Sequence, residues 1–169
     1  MADSSKAVIK KILTALFIVV ILIGLDQWTK KLAVEHLMNK PSIPLIPNVL
    51  EFTYVENFGA AFGIMQGRHG LFALIAVIIT LLLLFAIAVI PFTKRFMPLI
   101  LCFTFIIAGA LGNLIDRILH SYVVDFIYFM PIDFPVFNVA DIYISLSCAV
   151  LVLLVMFYYK DEELNFKFR

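Results

Sequence analysis

Apolar and polar positions alternate along this chain in long blocks. Residues 12–25, 70–93, 96–115 and 142–159 carry no acidic or basic side chain, and polar or proline-bearing segments separate them. The last three are long enough to cross hydrocarbon as helices of about 20 residues. The first is short; it reaches membrane length if Lys10 and Lys11 extend outward and the helix runs through Asp26 toward Lys30. Backbone groups facing lipid must be paired within their own segment, so all four stretches are predicted to be helical. The expected spans are about 10–27, 70–92, 96–115 and 141–159, with an outer segment at 28–69. In that segment, 28–39 mixes apolar and charged residues and reads as an interfacial helix, which Pro41, Pro44 and Pro47 then break. Residues 50–55 alternate in side-chain type as a half-buried strand does. The small residues of Asn57-Phe58-Gly59-Ala60-Ala61-Phe62-Gly63 permit close backbone approach. The predicted fold is an all-α membrane protein of four transmembrane helices. It has a small extracytoplasmic β element and an interfacial helix between helices 1 and 2, and forms a single domain over 1–169.

Composition agrees. The chain is 63% hydrophobic and 15% charged, with a mean hydropathy of +1.05, whereas soluble domains are about half apolar and a quarter charged. A net charge of +1 and the lack of a basic run give no reason to expect a nucleic-acid partner. Lys6, Lys10 and Lys11 precede the first apolar stretch as in a signal peptide. No small-residue cleavage pattern follows, so the stretch is expected to remain as an anchor. An even number of spans puts both termini on one side. That side holds Lys6, Lys10, Lys11, Lys94, Arg95, Lys160, Lys167 and Arg169, which outnumber Lys30, Lys31, Lys40, Arg68 and Arg117 on the other. The excess predicts cytoplasmic termini.

With that orientation, Asp26, Asp116, Asp125 and Asp141 all fall at the outer ends of spans or in the outer loop 116–140. An ionisable group at membrane depth is costly and is read as functional by default. Asp125 sits between Val124 and Phe126, where desolvation favours its neutral form. Asp141 opens the last span, where a helix N-terminus favours the charged form. Carboxylates pushed apart in this way divide acid and base roles and titrate as one unit. Taken singly, Asp141 reads equally well as an N-cap and Asp125 as a solvated loop residue. Taken with Asn113 and Asn138 nearby, a functional pair is the better reading. Gly109, Gly112, Asn113 and Asp116 share a helical face, and Ala108 with Gly112 suits close helix packing. Asp26 and Lys30 are spaced to pair on a helix. Asp133, between Pro131 and Pro135, reads as a solvated turn residue, and Ser145 and Ser147 as interhelical hydrogen-bonding groups.

Other chemistries lack their patterns. The histidines His36, His69 and His120 have no metal-ligand spacing, and none is near Cys102 or Cys148 in sequence. No Gly-x-Ser-x-Gly turn appears. A carrier with an acidic relay would need acids on the cytoplasmic side too, and the inner halves of 70–93 and 96–115 hold no ionisable residue but cysteine.

Five blocks in order then resemble the bacterial lipoprotein signal peptidase (signal peptidase II) family. They are Asp26-Gln27-x-Thr29-Lys30, Asn57-x-Gly59-Ala60-Ala61-Phe62, Gly109-Ala110-Leu111-Gly112-Asn113-x-Ile115-Asp116-Arg117, Val123-Val124-Asp125-Phe126 and Phe134-Pro135-x-Phe137-Asn138-x-Ala140-Asp141. The resemblance implies an aspartic endopeptidase of the bacterial cytoplasmic membrane, with its active site at the outer face. Such enzymes cut diacylglyceryl-modified prolipoproteins immediately before the lipidated cysteine. It implies Asp125 and Asp141 as the catalytic pair. Asn57, Gly59, Asn113, Asp116, Arg117, Asn138, Asp26 and Lys30 would line or support the site. No metal or organic cofactor is implied, and the expected partners are a diacylated prolipoprotein and membrane lipids, with the protein a monomer.

Overall fold

The computed structural model describes residues 2–59 and 69–164. Ala60 to Gly63, Arg68, Lys167 and Arg169, which the sequence reading used, lie outside them. Four helices among the described residues are long and apolar enough to cross a membrane. The first, α1 (Ala2–Leu37), is a single helix. Residues 28–37 are therefore its continuation and not a separate interfacial helix. No proline interrupts the chain before Pro41, and Gly24 alone does not break a helix whose flanks are strong formers. The helix ends beside Asn39, whose φ of 57° is left-handed.

Lys11 departs from expectation. It does not extend outward but is 3% exposed, and its ammonium donates to Ala88 O (3.1 Å) and Ile90 O (2.5 Å). These carbonyls end α2 (His69–Val89), where no intrahelical donor remains and a cation is favoured by the helix dipole.

The central strut is α3 (Met97–His120), packed against α1, α2 and α4 (Val139–Leu153). About half of α3 is buried, whereas α2 and α4 turn most of their surface outward. Close approach requires glycine at two positions of α3. A Cβ on Gly109 would stand 2.5 Å from Ala140 O, and one on Gly112 would stand 2.7 Å from Asp26 Oδ2. The glycines thus admit α4 on one side and a carboxylate of α1 on the other. The helix runs past the predicted end at 115 to His120 and stops at Ser121, φ 65°. After α4 comes a π-helical turn, Leu154–Tyr158, and then the short α5 (Asp161–Leu164). Glu163 of α5 makes a two-pronged ion pair with Arg95 of the α2–α3 turn, both bonds at 3.0 Å.

The β element is larger than expected. Strands β1 (Ile43–Ile46), β2 (Leu50–Asn57) and β3 (Val123–Phe129) form an antiparallel sheet in that order. Residues 123–129 are thus a strand where the sequence reading expected loop, because Val123, Val124 and Phe126 are nearly continuous apolar positions buried on both faces. Val124 and Phe126 pack with Ala33 and Leu37, which anchors the sheet on the outer end of α1.

Candidate active site

Each acidic side chain singled out in the sequence is held by a different element. Asp26 comes from α1, Asp116 from α3, Asp125 from β3 and Asp141 from the first turn of α4. The Lys30 ammonium meets Asp26 Oδ2 at 2.9 Å, Asp116 Oδ2 at 3.0 Å and Asn113 Oδ1 at 2.9 Å. Its three N–H bonds are thereby all used. Asp26, Lys30 and Asp116 are each at most 3% exposed. A buried charge is tolerated only when paired and fully hydrogen-bonded, and here the remaining oxygens are also engaged. Asp26 Oδ1 accepts from Ala140 N at 2.9 Å, while Asp116 Oδ2 also accepts from Val124 N at 3.1 Å. Gln27, not foreseen as a site residue, reaches back to Asp116 Oδ1 (2.8 Å) and Gly112 O (3.2 Å). Its presence in the first sequence block was the available signal; its direction was not.

From this cluster the hydrogen bonds run to the two outer acids. Asn113 Oδ1 accepts from Lys30 and from Asn138 Nδ2 (3.1 Å), so its amide nitrogen is left to face Asp141 Oδ1 at 2.8 Å. Asn138, not Asp141, caps α4: its side chain accepts from Asp141 N (3.0 Å), and Asp141 Oδ2 accepts from Asn138 N (3.1 Å). This reciprocal box places Asp141 in the first turn, where the orphan amides of a helix end stabilise negative charge. The same Asn138 donates through Nδ2 to Asp125 Oδ1 at 2.6 Å. One asparagine therefore touches both acids. Asn57 donates to Asp125 Oδ2 at 2.9 Å, its own carbonyl being fixed by Gly59 N at 2.9 Å. Arg117 closes the ring by donating to Gly59 O (3.1 Å) and Asn113 O (3.2 Å), with its guanidinium 4.9 Å from the Phe72 ring centroid. Packing of Phe58 on Tyr122, centroids 5.5 Å apart, steadies the 57–59 turn from outside. All ten residues expected at the site thus lie in one connected network.

Burial, reinforced by the nearby Asp141 charge, pushes the Asp125 carboxyl from the usual 3.8 up to about 7, against the pull of the Asn57 and Asn138 bonds. Asp125 is 2% exposed. A carboxyl of this kind can hold a proton near neutral pH and release it when the neighbouring charge changes.

A cavity of about 770 Å³ lies against the pair, lined by Asp125, Asp141, Asn57, Asn113 and Arg117 at one end. Apolar residues of α2, α3 and α4 complete it, among them Phe72, Ile75, Ile79, Ala110 and Ile144. Both α2 and α4 pack on α3, and the cavity occupies the space between them. Ser145 lines it instead of bridging helices as expected. Asp133 is exposed, in a left-handed turn, and accepts from Tyr128 OH. Among the described residues no group of three or more His, Cys, Asp and Glu is arranged to hold a metal ion.

Beside the pair, amides of β3 are already bonded. Val124 N is taken by Asp116, while Phe126 N and Ile127 N both donate to Phe137 O. These three amides of β3 are therefore not available to an incoming peptide strand.

A family model described as Signal peptidase (SPase) II matches residues 18–157. Proteins named lipoprotein signal peptidase are similar over most of the chain. That of Brevibacillus brevis is 40% identical over 136 residues, 80% of this chain and 90% of the relative. That of Halothermothrix orenii is 44% identical over 137 residues, again 80% and 90%. A solved structure titled as a bacterial membrane enzyme at 2.3 Å superposes with a TM-score of 0.76 at 30% identity, covering 92% of this chain and 94% of that one. A second, at 1.9 Å, gives 0.74 at 31% identity, covering 86% and 94%.

Proposed function

We infer the reaction from this premise: the chain belongs to the signal peptidase II family. It is a multi-pass bacterial membrane protease that removes signal peptides from prolipoproteins. Its substrate is the diacylglyceryl-modified precursor, cut immediately before the lipidated cysteine. Asp125 and Asp141 are the catalytic dyad. The observation that carries this assignment is that Asn138 binds both carboxylates on the wall of one apolar cavity.

In the reaction, ionised Asp141 takes a proton from a water as the water attacks the scissile carbonyl. Neutral Asp125 protonates the carbonyl oxygen, and the tetrahedral intermediate collapses with proton transfer to the departing amine. The raised Asp125 pKa suits it to the acid role near neutral pH. Asn57, Asn113 and Asn138 orient the carboxylates, and the Lys30 cluster fixes Asn113. Apolar walls between α2 and α4 accommodate acyl chains and the signal segment arriving from lipid. The termini lie in the cytoplasm and the dyad at the outer boundary, which the lysines and arginines near the inner helix ends support. The enzyme is taken to act as a monomer, because a single residue, Asn138, already joins the two carboxylates.

The test is cleavage of a purified diacylated precursor peptide, with the cut mapped by mass. Parent protein releases a fragment beginning with the lipidated cysteine. Asp125→Asn and Asp141→Asn insert and fold but release none; full processing by either variant overturns the dyad.

A further inference from the structure

The polar residues of the cavity wall are unevenly placed. Asn57, Asn113, Arg117, Asp125 and Asp141 all belong to the network at its outer end. Ser145 is the remaining polar lining residue. It follows Asp141 by four positions, so it lies on the same face of α4 about 6 Å further along the helix and away from the sheet. Its neighbours on the wall, Ile144, Leu146, Ile79 and Ala110, offer no hydrogen bond from their side chains. Ser145 is exposed on this wall, and its hydroxyl bonds no protein group among the described residues, which leaves it open to a ligand in the cavity.

A peptide must be extended at the bond being cut, and an extended chain inside hydrocarbon leaves its backbone groups unpaired. The amides of β3 nearest the pair are already bonded and cannot serve them. We propose that the Ser145 hydroxyl is a substrate-binding group that hydrogen-bonds the precursor main chain upstream of the scissile bond. This rests on the dyad assignment and on entry of the signal segment from the bilayer side. With about 3.3 Å per extended residue, one helical turn corresponds to a contact about two residues before the cut. The contact reads backbone, so it is common to precursors of different sequence.

The experiment compares Ser145→Ala, Ser145→Thr and Ser145→Val in full-length protein, with Asp125→Asn as the reference for the dyad. The probe is a diacylated precursor peptide, made with either an amide or an ester two residues before the cut. Ala and Val lower kcat/KM about 5- to 20-fold. Thr, which keeps the hydroxyl, stays within about twofold, and melting temperatures do not change. The ester slows the parent by a similar factor but slows Ser145→Ala no further, because the contact is already absent. Unchanged turnover in Ala and Val, an equal loss in Thr, or fully additive losses with the ester would overturn the contact while leaving the dyad intact. Cleavage by Asp125→Asn would instead overturn the dyad.

Discussion

Replacing Asp125 by asparagine separates the catalytic role proposed for that carboxyl from what it costs the fold. Its pKa in the folded protein, about 7, stands above the ordinary 3.8 because the site is buried and Asp141 is close. The fold therefore favours the neutral form. The resulting stability is fully present below about pH 3.8 and is lost as pH rises to 7. Each pKa unit is worth about 1.4 kcal/mol, so by pH 8 the parent has given up about 4 kcal/mol, and near pH 5 about 1 to 2. Asparagine cannot ionise and escapes this loss. It does not fit without penalty. Both Asp125 oxygens accept N–H donors, from Asn138 and Asn57, and an amide nitrogen at either place faces a donor. That conflict costs about 1 kcal/mol at every pH. The variant should match the parent near pH 5 and exceed it by about 2 to 3 kcal/mol near pH 8. Reversible unfolding in detergent, run on both proteins at the two pH values, measures the difference. A stability difference that stays constant, or shrinks as pH rises, would refute the reasoning even if the variant proved inactive.

Three further outcomes follow from contacts elsewhere. Lys30→Met leaves Asp26 and Asp116 buried without their shared cation; unfolding measurements should show a loss of about 3 to 5 kcal/mol. Gly112→Ala places a methyl 2.7 Å from Asp26 Oδ2, so the α1–α3 contact must shift; a loss of about 1 to 3 kcal/mol, with reduced cleavage, is expected. Arg95→Ala removes the ion pair to Glu163, whose carboxyl that pair holds down at about 2. It should leave precursor cleavage unchanged while making 159–164 more susceptible to limited proteolysis.

Much of this arrangement was legible in the sequence. Long uncharged runs announced the spans, since hydrocarbon leaves a chain few other options, and clustered acids in so apolar a composition marked the site. Spacing also gave the Asp26–Lys30 pair and the shared face of Gly109, Gly112 and Asn113. What escaped were features decided by tertiary contact. Strand β3 escaped because its apolar run, buried on both faces, does not alternate. Lys11 was expected to reach water, but the open carbonyls of α2 offered it partners that only packing reveals. The capping role of Asn138 and the reach of Gln27 depend on side-chain direction, which spacing alone leaves undetermined. The sequence points Ser145 to a helix contact because nothing local says which face of α4 meets a cavity.

The bond from Ala140 N to Asp26 Oδ1 joins the first transmembrane segment to the last. During synthesis, α1 and α3 emerge and can pair through Lys30 well before residue 140 leaves the ribosome. Until then one oxygen of Asp26 lacks its donor, and Gly109 faces a gap that only α4 fills. The same late arrival brings Asp141 and the cap that steers Asp125. Closure of the bundle and assembly of the proposed dyad are therefore completed by one event, so a chain stalled before its final helix has neither.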